Sequence, residues 1–210
     1  MQVYLTTARL TLRRFTEADV DDLTALDSDP AVMRWLNGGV PTPRAVIERE
    51  ILPRFLRSYQ RHAGYGVWAA IERASGDFVG WFSFQPHDGA DPDEIGLGYR
   101  LRQPVWGKGY ATEGARALIR KGFTELGAQH IIATTYQDNL ASRRVMEKAG
   151  LRLTRTFRLT PDALIAEGDT FIPSQDLWDG DDVEYALWRA DWERQEAAEC
   201  ERSQGDASLR

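Results

Sequence analysis

The residues whose spacing carries chemistry are Trp106-Gly107-Lys108-Gly109-Tyr110-Ala111, set between a strand-like run, Ile95 to Leu101, and a helix-compatible segment, Thr112 to Leu126. A strand, a glycine turn and a helix in that order aim backbone N–H groups at a phosphate. The first helical turn leaves its N–H donors without partners, and the helix dipole adds partial positive charge there. Glycine lets the backbone approach a ligand and take φ values that other residues avoid. The chemistry predicted for this turn is therefore the holding of a pyrophosphate. Two fingerprints of that kind fail. Gly109 and Gly114 have the spacing of a mononucleotide loop, but Ala115 and Arg116 stand where a lysine and a hydroxyl residue belong. Gly107 and Gly109 begin a dinucleotide pattern, but Thr112 replaces its third glycine. An ordinary strand-to-helix turn that needs glycine for geometry alone is the other reading.

A second group follows the strand-like run Ile131 to Tyr136. It reads Asn139-Leu140-Ala141-Ser142, then a short helix closing at Lys148-Ala149-Gly150. Asn139 is a good N-cap and Gly150 a good helix stop, and capping alone accounts for both residue types.

Together the two segments resemble the acetyl-coenzyme A site of the GNAT acetyltransferase superfamily. Its loop pattern is Gln or Arg, two residues, Gly, one residue, then Gly or Ala. Residues 106–111 match it except at Trp106. Tyr99-Arg100-Leu101, the loop and the Asn-x-x-Ser segment are most similar to the group that includes the ribosomal-protein N-terminal acetyltransferases. The resemblance extends from about Ala8 to Trp192, and its specific part lies within residues 94–151. It implies an α/β (α+β) fold with a mixed, mostly antiparallel central sheet, splayed at the acetyl-CoA site and flanked by helices. It implies acetyl-CoA as co-substrate and acetyl transfer to a primary amine, either the α-amino group of a peptide or protein or a small-molecule amine. Cofactor contacts would come from Tyr99, Leu101, Trp106, Gly107, Lys108, Gly109, Tyr110, Ala111, Thr112, Asn139 and Ser142. Trp106 is expected to pack beneath the loop.

An α-amino group has a pKa of about 7.7–8.0 and a lysine one of about 10.4, so an amine arrives partly or mostly protonated. A carboxylate takes that proton directly or through water. Glu94 is the first choice for this base, two residues before Gly96 on the strand that leads to the loop. Relatives in the resembled group carry glutamate at the position of Gly96, so the chain departs from them there. Ser142 is the candidate to protonate the leaving thiolate; a thiol of pKa about 8.5 needs only a weak donor. The tyrosine that many superfamily members place four residues later is Met146 here. A solvated strand-start carboxylate and a first-turn hydroxyl serving its own helix remain the structural readings of Glu94 and Ser142. A coenzyme A-binding sensing or regulatory module without catalysis is the alternative function that Gly96 and Met146 leave open. Trp35 and Asn37, followed by Gly38 and Gly39, offer a rim for the acceptor. Asp176, Asp179, Asp181 and Asp182 either attract a cationic amine or solvate a late acidic loop.

These residues must be positioned by one domain, expected over residues 1–192, with a polar tail at 193–210 read as frayed helix or disorder. Strands are expected at 9–14, 66–72, 78–85, 93–101, 131–136, 151–157 and 182–189. Helices are expected from Thr16 to Leu26, over 31–36, from Thr42 to His62 with a kink at Pro53, and over 112–126. Hydrophobic residues make up 42% of the chain, and no apolar run approaches the roughly 18 residues of a membrane span. The N-terminus lacks the features of a signal peptide. Cys200 stands alone, and the three histidines have no metal-ligand spacing. A net charge of −6 argues against nucleic acid as a partner. The expectation is a cytoplasmic enzyme, monomer or homodimer, with no metal and no membrane partner.

Overall fold

The computed structural model describes residues 2–86, 93–158 and 180–207. Its centre is one eight-stranded sheet. The strands in chain order are β1 (Val3–Thr6), β2 (Leu10–Arg14), β3 (Gly66–Glu72), β4 (Phe78–Pro86), β5 (Glu94–Leu101), β6 (His130–Tyr136), β7 (Arg152–Phe157) and β8 (Asp182–Trp188). They lie in the order β1-β2-β3-β4-β5-β6-β8-β7. Every neighbouring pair is antiparallel except β5 and β6. The splayed, mostly antiparallel sheet flanked by helices is the fold that the resemblance implied.

Side chains alternate across a strand, so each face of this sheet gathers its own core. On β4, Phe82 and Phe84 enter one core with Leu118, Ile119 and Phe123. Phe78 and Trp81 enter the other, with Leu23, Leu26, Val32 and Phe55; they share a face because the register shifts between Phe78 and Gly80. The first core is covered by helix α5 (Tyr110–Glu125) and helix α6 (Leu140–Lys148). A Cβ on Gly114 would stand 2.2 Å from Phe82 Cζ, so α5 lies against the phenylalanine rings only because this position has no side chain. That close seat sets where the N-terminus of α5 points.

The second core is covered by α1 (Val20–Asp27), α2 (Pro30–Asn37) and a longer helical run. α2 starts at Asp29, whose carboxylate accepts from the Ala31 N–H at 2.9 Å, with Pro30 at the first position where no N–H is needed. Gly38, at φ 75, ends it in the left-handed conformation. The longer run comprises α3 (Arg44–Val46), a π-helical stretch (Ile47–Ile51) and α4 (Leu52–Arg61). The irregularity expected at Pro53 takes this form: Pro53 has no N–H to give, and the Leu52 N–H just before it reaches five residues back to the Ile47 carbonyl.

One strand was absent from the sequence expectation, and of the two readings of the tail, frayed helix or disorder, the helical one holds over the described residues. β1 is a four-residue strand held by a Tyr4–Trp68 stack at 3.6 Å and by Tyr4 donating to the Gly64 carbonyl at 2.6 Å. The presumed polar tail continues a helix, α7 (Arg189–Ala207). Its Trp192 ring packs 5.4 Å from Phe123, and Gln195 donates to the Gly150 carbonyl at 3.1 Å. Among the described residues no helix is long and apolar enough to cross a membrane.

Candidate active site

β5 is hydrogen-bonded to β4 along its whole length, from Ile95 opposite Pro86 to Leu101 opposite Gly80. Its other edge meets β6 at only three registers: Glu94 with His130, Ile95 with Ile131, and Gly96 with Ile132. Beyond them the strands part. A cleft of about 940 Å³ opens between Leu97–Leu101 on one bank and Ala133–Tyr136 on the other. Alternate backbone groups on the parted edge of β5 face this cleft instead of a strand, so an extended ligand can continue the sheet there.

The glycine turn lies at the mouth of the cleft. Gly109 adopts φ 84 and caps α5. The first bond of the helical ladder runs from the Glu113 N–H to the Gly109 carbonyl at 3.0 Å. The N–H groups of Tyr110, Ala111 and Thr112 therefore precede the ladder, and all three residues line the cleft with Trp106, Gly107 and Gly109. Lys108 is exposed and not among the described lining residues. Trp106 differs from expectation. Its ring is 47% exposed on the cleft rather than beneath the loop, and its indole N–H donates to the Leu101 carbonyl at 2.8 Å, ending β5.

The turn is clasped from a distant part of the chain. Arg9, in the bend between β1 and β2, donates through Nη1 to the Lys108 carbonyl at 2.8 Å and through Nε to Glu113 Oε2 at 2.6 Å. Its guanidinium also covers the Tyr110 ring at 4.4 Å. Glu113 Oε1 accepts from the Arg9 N–H at 2.8 Å and the Thr7 hydroxyl at 2.6 Å. Burial pushes the Glu113 carboxyl up, but the bonds from Thr7 and Arg9 outweigh it and hold the pKa below the usual glutamate value. A depressed folded pKa contributes stability above the unfolded value of about 4.3, and that stability is lost as pH falls through the folded value. Glu113→Gln is thus expected to lower stability by about 1–2 kcal/mol at neutral pH. The difference from the parent should vanish in acid; thermal melts of both proteins across pH check it.

Asn139 and Ser142 lie where β6 passes into α6. Asn139 Oδ1 accepts from the Ser142 N–H at 3.3 Å, and its Nδ2 donates to the Thr135 hydroxyl at 3.1 Å. The Tyr99 hydroxyl spans the cleft from β5, 2.9 Å from Ser142 Oγ and 3.0 Å from the Ser142 carbonyl. Burial pushes the Tyr99 phenol well above its ordinary pKa, and its bond with Ser142 only partly offsets this. Tyr99, Leu101, Asn139 and Ser142 all line the cleft, and Met146, 2% exposed, reaches its wall from the core.

Glu94 is not brought to this group. It stands below the point where the strands part, with Oε2 3.2 Å from His130 Nδ1, and His130 stacks on Trp188 at 4.4 Å. The described residues lining the cleft contain one carboxylate, Asp182, 5% exposed at the start of β8. Asp181 is exposed; Asp176 and Asp179 lie outside the described residues. Trp35 lines the far wall with α4. Asn37 is not among the lining residues: its side chain closes the following turn, accepting from the Val40 N–H at 3.1 Å and donating to the Val40 carbonyl at 2.8 Å.

Charge in the cleft is opposite to that of the whole chain. Its described lining carries Arg54, Arg57, Arg61, Arg100, Arg144 and Lys148 against Asp182, in a chain of net charge −6. Arg100 is balanced from behind by Asp27, at 2.6 Å and 1% exposure. Counted by residue type, the described lining is richer in cations than in carboxylates, which favours anions. Sequence reasoning missed Arg9, Glu113, the Arg100–Asp27 pair and the arginines of α4. Only the last had a signal, the i, i+3, i+7 spacing of Arg54, Arg57 and Arg61 on one helical face.

Comparison with known proteins agrees with this geometry. Residues 9–152 match a family model described as an acetyltransferase (GNAT) domain. The FsC-acetyl coenzyme A-N(2)-transacetylase of Aspergillus fumigatus is 32% identical over 212 residues, covering 96% of this chain and 83% of that protein. A GNAT-family acetyltransferase structure from Bacillus anthracis superposes with a TM-score of 0.70 at 24% identity, covering 90% of this chain and 99% of that one. The structure of RimL, a ribosomal L7/L12 alpha-N-protein acetyltransferase in complex with coenzyme A, superposes with a TM-score of 0.68 at 18% identity, covering 89% and 98%. At that identity the RimL likeness speaks for the fold.

Proposed function

The chain belongs to the GNAT acetyltransferase family, and we propose that it moves the acetyl group of acetyl-CoA onto a primary amine of a small molecule or onto the α-amino end of a peptide. The observation that carries this reading is the parted β5 edge beside the glycine turn, with Ser142 lining the same cleft. The turn N–H groups and the cationic lining suit the phosphates. The β5 edge suits the pantetheine arm, and its N–H groups suit the oxyanion that forms on the thioester carbonyl.

In this reading Asp182, rather than Glu94, takes the proton from the amine, directly or through one water. The nitrogen attacks the carbonyl carbon, the C–S bond breaks, and Ser142 faces the departing sulfur. The Aspergillus relative's name, with its N(2) acceptor, favours a small molecule over a ribosomal protein. Arg57, which lines the cleft from α4, favours an acceptor with an acidic group near its amine.

The test is thiol release from acetyl-CoA against amino acids, their amides, short peptides and polyamines. Amine-dependent release, faster with each acid than with its amide, is the expected result. Binding without release for any amine would turn the reading to a coenzyme A-sensing module. With the acceptor found, Asp182→Asn is expected to lower kcat by about 10²–10⁴-fold and Glu94→Gln to leave it within about two-fold. The reverse pattern would restore Glu94 as the base.

A further inference from the structure

Tyr99 and Ser142 reach toward each other across the cleft, one from β5 and one from the first turn of α6. We propose that Tyr99 is a positioning residue for acyl transfer, its phenol turning the Ser142 hydroxyl toward the sulfur as the C–S bond breaks. This rests on Ser142 facing the leaving thiolate.

Two distances carry the argument. The Tyr99 hydroxyl has one proton and two acceptors in reach, the Ser142 carbonyl at 3.0 Å and Ser142 Oγ at 2.9 Å. Two proton arrangements fit the same heavy atoms. In the first, the phenol donates to the carbonyl and the serine hydroxyl donates to the phenol oxygen, so the serine proton is held away from the ligand. In the second, the phenol donates to Oγ and the serine proton is released to a third atom. A hydroxyl that accepts one hydrogen bond donates a stronger one, and a thiolate is a better acceptor than a phenol oxygen. Negative charge arriving on sulfur therefore selects the second arrangement, and no heavy atom has to move. The bond from Asn139 Oδ1 to the Ser142 N–H holds the first turn still while the protons rearrange.

The phenol stays protonated across working pH because burial holds its pKa high. It is not the acid, and it ends each cycle unchanged. The attacking nitrogen loses one proton and sulfur gains one. Ser142 gives its proton to sulfur and is reprotonated through cleft water by the proton that Asp182 took from the nitrogen, so both residues end as they began.

The experiment uses the full chain with coenzyme A as probe. The bound thiol is titrated by its thiolate absorbance, with the same protein carrying desulfo-coenzyme A as reference. Four proteins are compared: parent, Tyr99→Phe, Ser142→Ala and the double variant. The other ionisable groups lining the cleft (Arg100 on β5, Tyr110 on α5, Tyr136 on β6, Asp182 on β8, Arg144 and Lys148 on α6, Arg54, Arg57 and Arg61 on α4) are the same in all four, so differences isolate the hydroxyl pair. In the parent the bound thiol is expected to ionise below the free value of about 8.5. Each single variant should raise the midpoint by about one pH unit, and the double variant should add nothing. A melt should show Tyr99→Phe folded, because the ring that packs 6.2 Å from Phe82 is kept. A parent-like midpoint in Tyr99→Phe would reduce Tyr99 to a packing residue. A double variant shifted beyond either single one would mean that the two hydroxyls act separately, and would also overturn the proposal. Failure of the parent to bind coenzyme A would instead sink the cofactor reading, and this proposal with it.

Discussion

Asp27→Ala is expected to destabilise the fold by about 3–5 kcal/mol, a large share of the roughly 5–15 kcal/mol that holds a domain together. Asp27 is 1% exposed and Arg100 5% exposed, and Arg100 Nη1 donates to Asp27 Oδ1 at 2.6 Å. Burial pulls the Arg100 pKa down and Asp27 pulls it back up. Without the carboxylate, a charged guanidinium stays inside with its chief counter-charge gone. The pair also joins layers: Asp27 ends α1, and Arg100 lies on β5 between Tyr99 and Leu101, with its guanidinium 5.1 Å from the Trp81 ring. Urea denaturation of parent and variant reads the loss. The double replacement Asp27→Leu with Arg100→Met should recover much of it, since a buried pair replaced by apolar groups is often neutral. A single variant as stable as the parent would mean that Arg100 escapes into the water of the cleft.

Gly109→Val is expected to weaken acetyl-CoA binding by about 10²–10³-fold, the loss of roughly two hydrogen bonds to charged phosphate. Gly109 stands at φ 84, where a β-branched residue is strained. A Cβ there would also meet Arg9 Nη2 at 3.4 Å, in the clasp that holds the turn. The backbone should swing to a negative φ and carry the N–H groups of Tyr110 to Thr112 off target. Calorimetric titration checks it, with a melt to confirm folding. Unchanged affinity would remove the turn from the phosphate site.

What could be read from the sequence was local. Gly107 and Gly109 announce a backbone that only glycine takes easily, and Asn139 and Gly150 announce helix ends, because turns and caps are written in adjacent residues. What could not be read is set by pairing across the chain. Arg9 and Glu113 are 104 residues apart, and Arg100 and Asp27 are 73 apart; no periodicity points from one to the other. Glu94 was legible as a strand residue two before Gly96, but the parallel register that sets it opposite His130 was invisible. β1 offered only four residues to read, and α7 has few apolar positions beyond Trp192 to reveal its docking. Tyr99 was legible as part of the cofactor strand, but its bond to Ser142 depends on how far β5 and β6 part.

The three-register seam between β5 and β6 has a thermodynamic consequence. It makes the middle of the sheet a thin join, with β1–β5 on one side and β6, β8 and β7 on the other. A ligand lying in the parted stretch is a splint across two leaves. Anything that binds the folded chain alone adds RT ln(1 + [L]/Kd) to its stability, about 2.7 kcal/mol at a hundred times Kd. The stability of this protein, and its resistance to proteolysis that acts through unfolding, is thus expected to rise and fall with the supply of its own co-substrate.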